Sequence, residues 1–381
     1  MKTRSLCKAF LWTVWAALPA PASALSLNLG ADYRVRAISA GAKLPTEPKL
    51  SFYTQRLQVY MESRLSREVE ARVRLQSINP WGVEGTTNTL LQTRYPSANG
   101  TPWVQNAYVR VPKLSKRPVE LSIGRQPIRW GEGFVLDDDE LGMNAVRVKA
   151  RSPWTGVPVD ADLFLAKISE GLTGPNRDFG LFGGLLGWGS EQTRRAEFYF
   201  LEETDDSGSP YQAGSETAPV TSAHVHRRFM GIRFKGNIRD AYYKIEYVKQ
   251  SGDADRIGAG DLNLEGSALS FSAGGATGSP RFGRVNAFVD YSFGSGDAPG
   301  DGSKDGAFRP TFAHRWDGLE RSGSGRYFAA TVSDAFSTAA PFTPAGTTQT
   351  GLPAGTSGIQ IIGGGNRLLA RRGPEGHGRL L

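Results

Sequence analysis

Arg56-Leu57-Gln58-Val59-Tyr60-Met61-Glu62-Ser63-Arg64-Leu65, followed after Ser66-Arg67 by Glu68-Val69-Glu70-Ala71-Arg72-Val73-Arg74-Leu75-Gln76, alternates apolar and polar residues. Leu57, Val59, Met61, Leu65, Val69, Ala71, Val73 and Leu75 share one face, and Arg56, Glu62, Arg64, Glu70, Arg72 and Arg74 share the other. A period of two is the signature of a strand, because successive side chains leave opposite faces of the pleat. An apolar face of this kind fits the inside of a soluble sandwich. It also fits the lipid face of a transmembrane barrel whose charged face lines a lumen.

The flanking sequence favours the membrane. Similar segments recur near 25–38, 103–112, 118–129, 143–152, 157–168, 178–189, 194–204, 226–236, 239–251, 264–275 and 281–294. With 50–65 and 68–79 they make about thirteen strands, each long enough to cross an outer membrane at a tilt. Tight turns such as 113–117, 153–156, 190–193 and 237–238 alternate with longer Gly/Pro-rich connections such as 80–102, 130–142, 204–225 and 252–263. An up-and-down barrel with two unlike rims produces that alternation, whereas Greek-key crossings have no reason to preserve it. Trp81, Trp103, Trp130, Trp154 and Trp188 fall at strand ends, which predicts an aromatic girdle at the membrane–water interface.

The first residues point to export. Lys2, Arg4 and Lys8 precede an apolar run from Ala9 to Leu18 and a small-residue site at Ala22-Ser23-Ala24. This pattern predicts a cleaved signal peptide over 1–24. Cys7 lies inside it and is the only cysteine, so the mature chain is expected to have no disulfide or thiolate metal site. Of the net charge of +8, three come from the leader and three from the segment after Asn366, leaving +2 for the body. No basic stripe for nucleic acid is present.

Three stretches carry a family resemblance. They are Leu121-Ser122-Ile123-Gly124-Arg125-Gln126-Pro127-Ile128-Arg129-Trp130-Gly131-Glu132-Gly133; Phe293-Gly294-Ser295-Gly296-Asp297 leading to Gly306-Ala307-Phe308-Arg309-Pro310-Thr311-Phe312; and Gly323-Ser324-Gly325-Arg326-Tyr327. Over roughly residues 25–330 the chain resembles the alginate-export family of outer-membrane porins. The resemblance implies a monomeric barrel of about eighteen strands that passes an anionic polysaccharide.

About thirteen strands is an odd number, while single-chain bacterial barrels normally have an even one. The end of the chain, Asn366 to Leu381, has no alternating strand and no terminal aromatic residue. These features predict an all-β, antiparallel up-and-down transmembrane barrel of about 13 strands that is incomplete, from a product truncated or frame-shifted near Gly365. The expected organisation is a signal peptide (1–24), a barrel wall (25–294), a long extracellular loop region with strand fragments (295–365) and a disordered tail (366–381). The strand at 281–294 is expected to lack one partner, and the strand at 26–37 is expected to be an orphan edge.

Strand parity assigns the lumen. Its basic candidates are Arg34, Arg36, Arg56, Arg64, Arg72, Arg74, Arg110, Arg147, Lys149, Arg151, Arg233, Lys235, Lys244 and Arg284. Its acids are Asp32, Glu62, Glu70, Asp160, Asp162, Glu197, Asp240, Glu246 and Asp290. Tyr60, Tyr108, Tyr199 and Tyr242 share that face, where they could stack on sugar rings. A basic excess focuses anions in a narrow pore, and the guanidinium fork suits carboxylates. The same residues could equally form a salt-bridge lattice that packs the lumen. Arg125 falls on the lipid side by parity unless Gly124 or Pro127 hosts a bulge.

Other sites are weaker. His224 and His226 share a strand face, but with no nearby thiol they are not assigned as a metal pair. The acidic loops Asp137-Asp138-Asp139-Glu140 and Asp297…Asp301…Asp305 lack calcium-loop spacing and read as solvated acids. No nucleophile elbow or phosphate loop is present, so no enzyme, catalytic residue, cofactor or metal is expected. The sequence therefore reads as a monomeric outer-membrane porin-like channel, reached through the periplasm, for anionic solutes or an alginate-type polysaccharide. Its partners are expected to be anionic polysaccharide or small anions and outer-membrane lipid. The alternative is a secreted soluble β-sandwich or β-solenoid with a binding role.

Overall fold

The computed structural model describes residues 26–40, 50–66, 68–81, 100–131, 133, 135–138, 141–154, 156–169, 178–190, 193–208, 210–211, 220–279, 283–297, 302–309 and 359–369. These form strands β1 (Ser26–Ala40), β2 (Leu50–Arg64), β3 (Glu70–Pro80), β4 (Trp103–Val111), β5 (Val119–Gln126), β6 (Met143–Trp154), β7 (Val157–Ser169) and β8 (Phe179–Gly189). They continue as β9 (Arg194–Asp205), β10 (Pro210–Tyr211), β11 (Val220–Ile238), β12 (Ala241–Arg256), β13 (Leu262–Ser279), β14 (Gly283–Gly294), β15 (Lys304–Asp305) and β16 (Ile359–Leu369).

All belong to one sheet. Its main path takes fourteen strands in chain order, with β10 attached to β11 and β15 to β13. Every neighbour on that path is antiparallel. Tight connections lie on one rim, where Arg239, with φ at 56°, sits in the two-residue turn between β11 and β12. Longer connections leave the other rim. Both the first residue of β1 and the last of β16 lie on the short-turn rim.

The two faces settle the choice left open by the alternation. Leu57, Val59, Met61, Ile123, Val146, Leu163, Leu165, Leu186, Phe198, Met230, Ile232 and Phe234 point outward and are exposed. Their neighbours Arg56, Gln58, Arg147, Asp162, Glu197, Arg233 and Glu246 point inward and are buried. A sheet that is apolar outside and polar inside suits lipid, and one continuous sheet is not the pair of packed layers of a sandwich.

Two expectations are corrected. Residues 359–369, expected as a loop or fragment running into a disordered tail, form β16. That strand pairs with β14 from Gly294↔Ile359 to Arg284↔Leu369, so 283–294 has partners on both sides. Among the described residues the main path has fourteen strands, in line with the about thirteen expected, and its last residue lies on the same rim as its first. A Gly363-Gly364-Gly365 run inside β16 masked the period-two signal, because glycine has no side chain to alternate. Among the described residues β1 pairs only with β2 and β16 only with β14, so the sheet is not closed. The apolar segment 326–332 and residues 1–25 and 370–381 lie outside the described residues.

The girdle is partly as expected. Trp188 is exposed, and exposed Trp81 stacks on Tyr53 with ring centroids 5.3 Å apart. Trp130 departs from it. It is buried inside the sheet because the loop that carries it folds inward.

Candidate functional site

The inward face is a lattice of charges. Arg72 lies 3.5 Å from Glu62 and 3.9 Å from Glu70, Arg64 lies 3.7 Å from Glu70, and Arg110 bridges Glu70 and Glu120. Arg56 approaches Asp32 at 3.9 Å. Arg151 pairs with Asp160, which also binds Arg195; Arg195 Nε donates to Glu197 at 2.6 Å, and Glu197 accepts from Arg233. Buried charges are tolerated when neighbours of opposite sign compensate them, and this chain of pairs does so across β6 to β11.

Of the residues expected in the lumen, Arg34 and Arg74 are half-buried, and the Arg74 guanidinium sits 5.8 Å from the Tyr60 ring centroid. Tyr108 is half-buried on β4 opposite Gly124. Lys149 faces Asp162 across β6 and β7, while Lys235 and Lys244 face each other across β11 and β12. The side chains of Arg36 and Arg284 lie outside the described residues. Asp240 sits in the turn beyond β11 rather than on a strand. Tyr199 is 2% exposed and its hydroxyl donates to Glu246 at 2.6 Å, so no solute can stack on it.

The inward charges are unevenly distributed around the wall. β1 to β6 carry Arg34, Arg56, Arg64, Arg72, Arg74, Arg110, Arg147, Lys149 and Arg151, nine basic residues, against four acids, Asp32, Glu62, Glu70 and Glu120. β7 to β14 carry Arg195, Arg227, Arg233, Lys235, Lys244 and Arg256, six bases, against seven acids, Asp160, Asp162, Glu197, Glu203, Asp205, Glu246 and Asp290. One side of the wall is therefore basic and the other balanced. Sequence parity already placed most of the inward bases on β1 to β6, and the structure adds Glu120, Arg195, Glu203, Asp205, Arg227 and Arg256 as inward-facing residues that parity did not list.

The balanced side is covered from within by described residues of two of the stretches that carried the family resemblance, 127–131 and 306–309, and by Val135 and Leu136 of the same loop as the first. After β5 the chain makes a small hairpin. Trp130 N donates to Leu136 O at 3.0 Å, Asp138 N to Ile128 O at 2.9 Å, and Gly133 N to Trp130 O at 3.0 Å. Ile128, Trp130 and Leu136 pack on Phe164, Leu185, Tyr199 and Leu201 in one buried cluster, with the Trp130 and Phe164 rings 5.2 Å apart. Arg147 Nη1 donates to Pro127 O at 2.9 Å, and Trp130 Nε1 donates to Asp162 Oδ2 at 3.0 Å. Arg147 thus holds the base of the hairpin.

The Gly-Arg-Gln motif has a physical role in this anchoring. Gly124 takes φ +121°, and a Cβ there would stand 2.4 Å from Ala107 O, so only glycine fits. Register through β5 is unbroken, so no bulge inverts Arg125. It keeps outward parity at the strand end and donates from Nη2 to Leu141 O at 2.6 Å. Gln126 faces inward and donates to Ala145 O at 2.9 Å. A bulge does occur on β4, at Gln105, and it turns both Gln105 and Asn106 inward.

The second motif acts similarly. Ser295 Oγ accepts from Ser267 N at 2.9 Å and donates to Gly306 O at 2.6 Å, while Asp297 Oδ1 accepts from Gly306 N at 2.9 Å. This clamps residues 306–309 onto the inner face. There Phe308 meets Phe229 edge-on at 6.2 Å, Arg309 N donates to Gln250 at 2.7 Å, and Arg227 donates to Arg309 O at 3.0 Å.

The remaining polar clusters have structural partners. Asp138 Oδ2 accepts from Gly142 N, and Asp305 accepts from Ala307 N while pairing with Arg309 at 2.8 Å. His224 binds Asp206, and His226 binds Glu202 at 2.7 Å. Among the described residues no group of side chains is arranged to hold a metal ion. Asp139, Glu140 and Asp301 lie outside them.

No curated protein sequence matches this chain. Among solved structures, a loop-deleted OmpT outer-membrane protein of Vibrio cholerae aligns with TM-score 0.42 and 12% identity over 72% of this chain and 83% of its own. OmpF of Salmonella typhi in complex with daunomycin gives TM-score 0.34 and 9% identity over 70% and 89%. OccAB4 of Acinetobacter baumannii gives 0.34 and 10% over 73% and 84%. The family model described as "Alginate export" matches residues 25–323, and the chain therefore belongs to the alginate-export family of outer-membrane porins.

Proposed function

We propose that this outer-membrane channel passes anionic solutes, with an alginate-type polyuronate as the fitting polymer, along the basic side of its lumen. The distribution of inward charge carries the reading, with nine bases against four acids on β1 to β6 and near balance on β7 to β14. A low-dielectric wall lined by one sign of charge focuses its field into the pore and raises the local concentration of the opposite ion. Guanidinium groups engage carboxylates in a bidentate fork, and half-buried Tyr60 and Tyr108 offer ring faces beside Arg72 and Arg74.

The chain works in this reading as a monomeric conduit rather than an enzyme, and the reading is supported by a single polypeptide that supplies, among the described residues, fourteen strands of one sheet. The basic start, the apolar run and Ala22-Ser23-Ala24 support delivery through the periplasm after leader cleavage. The test is block of ion current in planar bilayers by oligouronates, with neutral oligosaccharides of equal length as control. Block by the uronates at concentrations where the neutral sugars are silent is expected, and equal block by both would overturn the anionic assignment.

A further inference from the structure

We propose that the short-turn rim is an electrostatic capture mouth for the carboxylated polymer, so that the channel is loaded from that rim and emptied through the other. The inference rests on the anionic reading above. It adds the surface that first meets the polymer and the side from which the polymer enters.

The two rims differ in charge. The seven connections on the long-loop rim up to residue 303 contain fourteen acids and five bases, whereas the six on the short-turn rim contain six bases and three acids. Short turns lie on the periplasmic side of an outer-membrane barrel and long loops lie outside. The periplasmic mouth is therefore positive and the outer mouth negative. In the described short turns and the strand ends beside them Arg64, Lys113, Lys116, Arg117, Arg194 and Arg239 are exposed, against exposed Glu68 and Asp240. Of these bases only Arg64 lies near a carboxylate among the described residues, 3.7 Å from Glu70. Inside the wall, by contrast, Arg110, Arg147 and Arg195 are each held by an acid. The positive charge left without a counter-charge thus stands at the mouth.

The backbone makes the same point independently. Among the described residues three that are not glycine adopt a left-handed conformation, Ser115 at φ 52°, Lys116 at φ 62° and Arg239 at φ 56°. All three lie in short turns, and two of them are basic. Glycine or asparagine takes this conformation with less strain, so turn formation alone does not select a long cationic side chain there. Packing does not select it either, because Lys116 and Arg239 are exposed. A local rule broken without a structural return marks a place where the side chain itself is used. A polyanion that diffuses to this rim meets a field that speeds its encounter, and the acidic outer rim slows entry from the opposite side.

The full chain is reconstituted in neutral phosphatidylcholine bilayers in a Cys7→Ser background, with Thr193→Cys and an impermeant thiol reagent reporting which rim faces which chamber. The on-rate of current block by an oligouronate is read with the sugar in one chamber at a time. Entry from the short-turn side is expected to be about tenfold faster at low salt, with the ratio falling toward one as salt is raised. Lys116→Gly with Arg239→Gly relieves both left-handed residues while removing two charges, so damage to the turns does not account for its effect. Lys113→Gln with Arg117→Gln removes two more without touching those residues. Each pair should slow block from the short-turn side by about threefold or more and leave block from the loop side as it was. Equal on-rates from the two chambers, or variants that block as fast as wild type, overturn the capture mouth while leaving the anionic reading in place. An effect of the variants seen only in bilayers containing phosphatidylglycerol assigns these bases to lipid headgroups and overturns it as well. Absence of block from either chamber removes the polyuronate reading itself, and the capture mouth falls with it.

Discussion

Arg147 and Asp162 reach each other from neighbouring strands as a bidentate pair, Nε to Oδ1 at 2.8 Å and Nη2 to Oδ2 at 2.6 Å. Both are buried, and the pair also receives the Trp130 indole and holds Pro127. An arginine that sequence parity offered as a pore-lining charge is thus part of the packing beneath an inward loop.

Removing one partner should be more damaging than removing both. Asp162→Ala leaves a buried guanidinium uncompensated, and breaking such a pair typically costs about 3–5 kcal/mol. The double replacement Arg147→Met with Asp162→Leu should cost less than the single change. Urea unfolding of the protein in lipid or detergent measures both, and a double variant weaker than Asp162→Ala would contradict the account.

The outward face should reject charge. Leu163 lies midway along β7 and is 50% exposed, so in a membrane it meets lipid tails. Leu163→Arg should destabilise the folded barrel by about 2–4 kcal/mol, whereas inward Arg74→Gln should change stability little. The folded fraction after transfer into vesicles reads the difference. Tolerance of arginine at 163 equal to that of glutamine at 74 would mean that the outer face does not meet lipid.

Two glycines provide a graded packing test. The Tyr199 ring lies over Gly231 and the Tyr60 ring over Gly30, each 2.1 Å from where a Cβ would stand. Tyr199 is buried beneath the hairpin and tied to Glu246, while Tyr60 has room to swing away. Gly231→Ala should therefore cost about 1–3 kcal/mol through overpacking, with Gly30→Ala clearly milder. Similar midpoints for the two variants in thermal unfolding would argue against the rigid seat assigned to Tyr199.

Most of the wall was legible in the sequence because a strand with one face in lipid and the other in water writes its register directly into the residue order. Leu57 to Leu75 is the clearest case, and the alternation of short and long connections survives in the structure. β16 was missed because three consecutive glycines erase the alternation in its middle. The inward segments were missed for another reason. Ile128, Trp130, Leu136 and Phe308 have no period of their own, and they are buried only because the distant β8, β9 and β11 leave space for them. Trp130 at a strand end looks like an interfacial tryptophan until the fold of its loop is known. The motif residues were legible as motifs, but their task of clamping loops to the lumen wall depends on contacts more than a hundred residues away in some cases.

The Ser295 clamp gives a local prediction. Ser295→Ala removes both the acceptor for Ser267 N and the donor to Gly306 O, a loss of about 1–3 kcal/mol for the buried groups left behind. Trypsin should then cut after exposed Lys304 markedly faster while the barrel stays folded. Cleavage at the wild-type rate would show that the clamp does not hold this segment.

The central claim is that a basic side wall governs what passes, and the reversal potential under a potassium chloride gradient tests it most directly. Arg72 and Arg74 lie on β3 between β2 and β4, whereas the hairpin is anchored on Arg147 and Asp162 of β6 and β7. Wild-type channels should reverse toward the chloride potential, and Arg72→Glu with Arg74→Glu should shift reversal toward the potassium potential while conductance stays similar. A wild-type channel that prefers potassium, or a double variant with unchanged reversal, would contradict the account.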